Sequence, residues 1–210
     1  MFWEWFVETL RTAIFASSQV CGGNIAGGIL IVSVCVRLAL FPLTLWLAKM
    51  SARRQAVLTK MKPELNRLRK RFQDRPERLA EETQRLFQRE GTSPLPLAGC
   101  LGGVAQMPVF LGLFSAVRKC AAFGGKFFWV QNIAKPDAIL ALLVAATTCG
   151  AVAVTRTTPE QNKALLLLLP AVMTVVALWQ LSAGVALYWG VSSLFSLLQA
   201  TIVRRTEPAA

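Results

Sequence analysis

The stretch that decides the fold runs from Asn24 to Leu47 and reads NIAGGILIVSVCVRLALFPLTLWL. It carries a single charged side chain, Arg37, along its whole length. About 20 mostly apolar residues are enough for an α-helix to cross the hydrocarbon core of a bilayer, and the core helix of a soluble protein does not need that length. The stretch therefore predicts a membrane-spanning helix.

Four further stretches of the same character predict four more spans. Hydrophobic residues make up 54% of the chain and charged residues only 16%, and the charges are concentrated outside these stretches. Besides the first span at 24–47, the predicted spans lie at 95–117, 138–154, 164–181 and 185–203. The fold class that we predict is an all-α polytopic membrane protein with five core transmembrane helices.

Residues 48–94 differ from the spans, because charged side chains recur throughout and apolar ones follow a helical repeat. Asp74 is a candidate N-cap with Glu77 three residues later, and Gly91 is a candidate C-terminal stop. The segment therefore predicts an antiparallel cytoplasmic helical hairpin. Apolar residues at coiled-coil spacing in its first half are Leu58, Met61, Leu65, Leu68 and Phe72, and those of its second half are Leu79, Leu86 and Phe87.

The hairpin has two interpretations. In the first, its basic residues are a solvated anchor that fixes the orientation of the chain in the membrane. In the second, the hairpin is a mobile flap that covers a cavity and contacts lipid headgroups and substrate, with Lys49 and Gly91 as hinges.

Residues 1–16 predict an amphipathic helix that lies in the membrane interface. Three charged residues share one helical face and argue against a span, and the acidic start argues against a secretory signal. The charged residues are Glu4, Glu8 and Arg11, and the apolar residues on the opposite side are Phe6, Leu10 and Ile14.

The distribution of Lys and Arg predicts the orientation, because cytoplasmic segments carry an excess of these residues. With residues 48–94 inside, the inner side holds 17 Lys and Arg residues and the outer side holds 5. This predicts an N-terminus outside and a C-terminus in the cytoplasm. Residues 118–136 are an exception, because this predicted outer loop carries 4 basic residues. The net charge of +12 lies mostly beside spans, which favours contact with anionic lipid over nucleic acid.

Arg37 is the most informative residue for function, because it lies about 20 Å along the first predicted span. A charge at that depth costs about 2.5–3.5 kcal/mol on insertion scales. None of the predicted spans contains Asp or Glu. The predicted partner of Arg37 is therefore water, or a carboxylate that arrives from outside the bundle. The alternative is a side chain that extends to the headgroups.

Other polar residues are placed to line the same cavity. Ser33 lies one turn before Arg37 on the same face, and Pro42 predicts a kink beside it. For each polar residue an ordinary interhelical hydrogen bond is the competing interpretation, and for Tyr188 and Trp189 an interfacial aromatic belt. The candidates on the other spans are Gln106, Gln180, Tyr188, Ser192, Ser193 and Gln199.

Three separated groups of motifs resemble, in the same order, those of the YidC-type membrane protein insertases, the bacterial relatives of the mitochondrial oxidase-assembly insertase. The first is RLALFPL at 37–43, which is similar to the family's first core span. The second comprises SP at 93–94, GCL at 99–101 and QMPVF at 106–110. The third comprises AG at 183–184, LYW at 187–189, LFS at 194–196 and Gln199. The similarity covers roughly residues 1–205.

The resemblance implies five spans around a groove that is open to cytoplasm and lipid and closed on the outer side. It implies an insertase and chaperone of the bacterial cytoplasmic (inner) membrane that acts on nascent membrane proteins without ATP. The Sec translocon and the ribosome are further candidate partners, and no enzyme activity, cofactor or metal is implied. Taken with the polar pattern, the predicted groove residues are Arg37, Ser33, Gln106, Tyr188, Trp189 and Ser193.

The sequence departs from the family pattern at positions that bear on the fine shape of the groove. Ser stands at 93 where Asn is usual, and Gly stands at 102 where Pro is common. Ser stands at 182 and 193 where Pro and Asn, respectively, are usual. The segment from Arg204 to Ala210 is short, which weighs against strong ribosome docking through a basic tail.

Two other classes of function stay open at this point. A small transporter or channel is disfavoured because ion-coupled transport generally uses acids within the spans. An intramembrane enzyme is disfavoured because the chain contains no His and offers no nucleophile–base pair. The five scattered Cys residues show no CxxC pairing and are interpreted as packing residues.

Overall fold

The computed structural model describes residues 2–73, 75–91, 97–155 and 163–206. Apart from one bridge between Phe127 and Val130, these residues form no β-structure, so the predicted all-helical fold is confirmed. The helices are α1 (Phe2–Val20), α2 (Ile25–Arg71), α3 (Pro76–Arg89), α4 (Leu97–Ala121), α5 (Ala138–Val154), α6 (Lys163–Gln180) and α7 (Ala183–Thr206).

The first predicted span and the first half of the predicted hairpin are one continuous helix, α2. Its 47 residues are about 70 Å long. The side chain of Asn24 caps its start by accepting a hydrogen bond from the Ala26 N–H. Pro42 and Pro63 lie inside the helix without ending it. The sequence changes from apolar to charged near Leu47, but the helix continues. Its backbone hydrogen bonds do not depend on whether the side chains around them are apolar or charged.

The second half of α2 packs against α3 and forms the hairpin. Three buried residues, Met61, Leu86 and Phe87, form its core. Arg75 is at the N-cap position of α3 and Pro76 is its first residue, while Asp74 lies outside the described residues. Gly91 has φ 61°, a left-handed conformation that ends helices and that glycine adopts readily. The flanking residues of this core are Val57, Leu58, Leu65 and Leu68.

Helix α1 packs lengthwise against α2 and α4. Gly28 lies so close to the backbone of Ile14 that a Cβ atom there would overlap the Ile14 carbonyl oxygen, and a Cβ at Gly112 would overlap the ring of Phe6. The helix continues to Val20, beyond the predicted end at residue 16. Its position relative to the membrane surface stays a prediction. The buried residues of α1 are Val7, Ile14 and Ser18.

The other helices form an open arrangement rather than a closed ring. Helix α7 packs against α2, α4 and α5, and α6 packs mainly against α5. Helices α5 and α7 approach closely at Gly190, where an added Cβ would lie 3.2 Å from a methyl carbon of Val144. Among the described residues, α6 does not pack against α2 or α4.

The segment between α4 and α5 closes one end of the bundle. The Asn24 side chain donates to the Lys126 carbonyl at 3.0 Å, the Ala183 N–H to the Lys135 carbonyl at 2.8 Å, and the Gly184 N–H to the Ile133 carbonyl at 3.0 Å. These bonds join the segment to the starts of α2 and α7. The hairpin lies at the other end of α2, so the segment and the hairpin occupy opposite ends of the molecule.

Length and composition single out two described helices, α2 and α7, as able to cross a membrane. Two apolar stretches are shorter, at Ala138–Val154 and Leu167–Gln180. The arrangement of five spans therefore stays a prediction. Most of the predicted turn at 156–163 lies outside the described residues.

Candidate functional site: a polar cluster around Arg37

Arg37 lies on α2 about 18 Å from the start of the helix and is half-buried. Its Nε donates a hydrogen bond to the Ser192 Oγ of α7 at 3.1 Å. Tyr188 lies one turn before Ser192 on α7, so the two residues share a helical face. Within the part of the chain that the structure describes, Arg37 forms no salt bridge. The guanidinium is bonded to a neutral hydroxyl, and no carboxylate among the described residues compensates its charge.

The contact between α2 and α7 continues from Arg37 toward the hairpin. The rings of Phe41 and Phe195 meet edge to face with centroids 6.0 Å apart. The Gln199 side-chain amide then donates to the Thr44 carbonyl at 3.0 Å. Residues on both helices advance in the same direction, so α2 and α7 run parallel. The arginine is therefore fixed on a seam of two long helices, which restricts its position.

Tyr188 and Trp189 pack on Phe110 of α4. The centroids of their rings lie 5.4 Å and 5.7 Å from that of Phe110, and the Tyr188 hydroxyl donates to the Phe110 carbonyl at 3.4 Å. Tyr188 is only 2% exposed. It lies between helices rather than at the protein surface, which argues against the aromatic-belt alternative for this residue.

Gln106 lies on α4 one turn before Phe110, the residue that packs on Tyr188. Helices α4 and α7 run antiparallel, because Gly184 contacts Ala121 and Tyr188 contacts Phe110. Gln106 is half-buried, and its position beside Arg37 stays a prediction.

Two of the predicted groove residues bond elsewhere. Ser33 is 0% exposed and donates to the Ile29 carbonyl of its own helix at 2.6 Å. Ser193 pairs with Thr148 of α5, with 3.0 Å between the two hydroxyl oxygens. The serine that reaches Arg37 is its neighbour, Ser192, which the sequence offered only as one of several polar candidates.

A signal for Ser192 was present in the sequence. It lies four residues after Tyr188, so the two share a helical face, whereas Ser193 is turned about 100° away. Thr148, the partner of Ser193, had no such signal, because threonines in apolar helices usually bond their own backbone. Thr148 also donates to the Val144 carbonyl at 2.8 Å.

Helices α4 and α6 both pack against α7, which carries Ser192, and they do not contact each other among the described residues. Each helix has large apolar side chains that are exposed. Within the described residues no group of three His, Cys, Asp or Glu is placed to hold a metal ion. The exposed apolar residues are Met107 and Leu111 on α4, and Leu168, Leu169, Val172, Met173, Val176 and Trp179 on α6.

This arrangement joins a fixed positive charge to an apolar lateral surface. The polar layer formed by Arg37 and Ser192 can bind an anionic or polar group. The flanking helices can contact a hydrophobic segment at the same time. Such a pairing suits an amphipathic chain segment better than a small solute.

Comparison with known sequences supports a relationship over the whole chain. The profile of a family described as "60Kd inner membrane protein" matches residues 16–210. The membrane protein insertase YidC of Aliivibrio salmonicida is 32% identical over 210 residues, which covers 97% of this chain and 37% of that protein. YidC 1 of Halalkalibacterium halodurans is 30% identical over 204 residues, which covers 94% of this chain and 77% of the relative.

Comparison with solved structures gives the same fold. The crystal structure of an active YidC insertase with its first transmembrane domain resolved superimposes with a TM-score of 0.64 and 20% identity. The match covers 94% of this chain and 46% of that one. This chain therefore spans well under half of some relatives and about three quarters of others. The chain belongs to the 60Kd inner membrane protein family, the family of the YidC membrane protein insertases.

Proposed function

We propose that this chain is a membrane protein insertase and chaperone, which moves hydrophobic segments and short polar tails of nascent membrane proteins into the bilayer. The observation that carries the proposal is the state of Arg37, half-buried and bonded to a serine with no acidic partner among the described residues. Family membership supports the class of activity, since the similar proteins carry the name membrane protein insertase.

In this mechanism Arg37 attracts the acidic or polar flank of a substrate. At an effective dielectric constant of 20, two opposite unit charges 4 Å apart attract by about 4 kcal/mol before desolvation. Ser192 holds the guanidinium in place, so little side-chain entropy is lost when a carboxylate arrives. Water around the polar layer shortens the hydrocarbon path that the polar flank must cross.

The hydrophobic segment of the substrate leaves sideways, between α4 and α6, along their exposed apolar side chains. Transfer of apolar surface from water to lipid releases about 25 cal/mol per Å². A span of about 20 apolar residues therefore supplies the driving force itself, and the proposed step uses no ATP. In this role the chain acts on its substrates without catalytic chemistry.

The placement of the chain in the membrane is part of the same proposal. Five spans surround a groove that is open to the cytoplasm, the N-terminus is outside and the hairpin is cytoplasmic, as the excess of Lys and Arg supports. The Sec translocon and the ribosome are proposed partners in the bacterial inner membrane. The proposed groove residues are Arg37, Ser33, Gln106, Tyr188, Trp189 and Ser193, with Ser192 added as the residue that orients Arg37.

Depletion and rescue test the proposal. The resident insertase is removed from a bacterium and this chain is expressed in its place, as wild type, Arg37→Ala or Arg37→Lys. Growth and the insertion of a single-span reporter with an acidic outer tail are scored. We expect rescue by the wild type, and a loss of about tenfold in insertion for Arg37→Ala, which corresponds to about 1.4 kcal/mol.

Two controls separate the mechanism from general damage. Arg69→Ala removes an exposed hairpin arginine and leaves insertion unchanged. A reporter with a neutral tail is inserted equally by wild type and Arg37→Ala. If Arg37→Ala inserted every reporter as well as wild type, the role of the charge would be wrong, and absence of rescue by a folded wild-type chain would overturn the insertase assignment.

A further inference from the structure

The segment between α4 and α5 has one face turned into the bundle and one face turned away from it. Val130 and Ile133 are 4% and 0% exposed and belong to the main core. Hydrogen bonds from Asn24 and from the start of α7 hold the backbone on that side. The outward face is thus built on a fixed support, and its side chains are presented in a defined arrangement.

The outward face carries an aromatic tip. The backbones of Phe127 and Val130 bond each other at 2.9 and 2.8 Å, which closes a tight turn with Phe128 and Trp129 at its end. Phe128 is 82% exposed, Trp129 is 45% exposed, and the nearby Phe123 is 65% exposed. These rings contact one another or α1, with 6.3 Å between the centroids of Phe128 and Trp129.

Phe128 holds this position at a cost to the chain. Its φ of 47° lies in the left-handed region, where a bulky side chain is strained and Gly or Asn is the usual residue. The ring packs edge to face on Phe127, with centroids 4.8 Å apart, but most of its surface is exposed. A strained and exposed aromatic ring at the end of a turn indicates a contact with something outside the chain.

The charge of the segment indicates what that contact is. Four basic residues near this end of the bundle, two in the last turn of α4 and two in the segment itself, are all exposed. The segment's carboxylate, Asp137, accepts hydrogen bonds from the Leu140 N–H at 2.7 Å and from the Trp129 Nε1 at 3.3 Å. The outward face is therefore positive around an aromatic tip. The four basic residues are Arg118, Lys119, Lys126 and Lys135.

We propose that this face is a binding site for anionic phospholipid headgroups of the outer leaflet, with the Phe128 turn inserted at the boundary between headgroups and acyl chains. Aromatic rings favour that depth, and Lys and Arg beside an anionic surface bind its phosphates. The proposal accounts for the basic residues on the side of the bundle opposite the hairpin, where the distribution of charge would otherwise place few. It rests on the proposed orientation of the chain, with this segment outside, and not on the insertase activity.

Depth-dependent fluorescence tests the site. The exposed Gln131 is replaced by Cys in a background without the native cysteines, and a polarity-sensitive label is attached there. The full chain is reconstituted in vesicles of phosphatidylcholine alone or mixed with phosphatidylglycerol, with brominated lipid as quencher. We expect quenching by shallow bromine atoms, and stronger quenching when phosphatidylglycerol is present.

Two variants separate the ring from the charges. Phe128→Gly keeps the turn, because Gly adopts positive φ without strain, and removes the ring, so we expect quenching to fall in both kinds of vesicle. Lys126→Gln with Lys135→Gln retains the ring, and we expect a roughly fivefold loss per lysine in the preference for phosphatidylglycerol. Lys60→Gln with Lys62→Gln, on exposed hairpin positions, is the matched control and changes neither readout.

Three results would overturn the site. The label could stay in water in both lipid mixtures, or Phe128→Gly could leave quenching unchanged. The preference for phosphatidylglycerol could also survive loss of both lysines. If the label were shielded in native membranes but exposed to water in vesicles, the face would bind a protein partner and not lipid.

Discussion

The two halves of α2 belong to one helix but are held in different ways. The half from Ile25 to Leu47 contacts three helices, α1, α4 and α7, with a close backbone approach at Gly28 and a side-chain bond from Arg37. The half from Ala48 to Arg71 packs against α3 through a core of three buried residues. The first half is fixed by several helices at once, whereas the second depends on a single small apolar cluster.

The difference indicates that the hairpin opens more easily than the bundle unfolds. Regions with few buried apolar contacts unfold locally at a lower free energy than the rest of the molecule. A hairpin of this kind suits the predicted flap, which must move while Arg37 and Ser192 stay in place. The following variants test that separation of stabilities.

Gly28→Ala is expected to have the largest effect, on the bundle half. The new Cβ overlaps the Ile14 carbonyl oxygen, and the backbone of α1 can yield only by moving as a whole. We expect a loss of about 3 kcal/mol, the upper end of the usual range for overpacking. Thermal unfolding in detergent micelles measures it, with the transition of the whole bundle as the readout.

Gly150 on α5 provides the control. A Cβ there would lie 3.7 Å from a methyl carbon of Leu197, which is an ordinary van der Waals distance. Gly150→Ala is therefore expected to change stability by well under 1 kcal/mol. Equal losses in the two variants would contradict the close contact between α1 and α2.

Phe87→Ala tests the hairpin half. Phe87 is one of three buried residues there, and its removal leaves Met61 and Leu86 without their neighbour. We expect the hairpin to lose about 2 kcal/mol of stability, which is less than in a large core, because Phe87 has few buried neighbours in this small cluster. Hydrogen exchange should accelerate in α3 while the bundle helices stay protected, and exposed Gln88→Ala should change neither.

The fold was predictable where composition alone decides the structure. Apolar stretches and the seam at Leu58, Met61 and Leu65 identified the helices and the hairpin core, because burial in lipid or against one partner leaves a clear pattern. The helix continues through the predicted boundary between Leu47 and Ala48, because a charge boundary marks a change of surroundings and not of backbone. Nothing in the local sequence distinguishes a change of surroundings from the end of a helix.

The site was predictable only in part. Arg37 stood out, because a charge within an apolar stretch is rare. Its partner Ser192 did not, since Ser192 and Ser193 differ only in the direction that each faces on α7. That direction is set by how α7 rotates against α2 and α5, which is a property of packing between helices far apart in sequence.

Thr148→Val tests a polar contact within the bundle. The variant keeps the shape of the side chain and removes the hydroxyl that pairs with Ser193 across α5 and α7. We expect a loss of about 0.6 kcal/mol, the average for such bonds between transmembrane helices. Thr147→Val is the control, because its hydroxyl donates to the Val144 carbonyl of its own helix. A larger loss for Thr147→Val would mean that helix propensity, and not the bond, is measured.

Arg85→Ala is expected to have the smallest effect, and it tests what holds the hairpin. Arg85 pairs with Glu81 at 3.3 Å and with Glu82 at 2.9 Å on the exposed face of α3, and its side chain is 64% exposed. Exposed pairs of this spacing contribute about 0.3–0.5 kcal/mol each and are weakened by salt. We therefore expect a small increase in hydrogen exchange of α3 at low salt, absent at high salt and absent in Arg78→Ala. An effect as large as that of Phe87→Ala would show that surface charge, rather than the cluster of Met61, Leu86 and Phe87, keeps the hairpin closed.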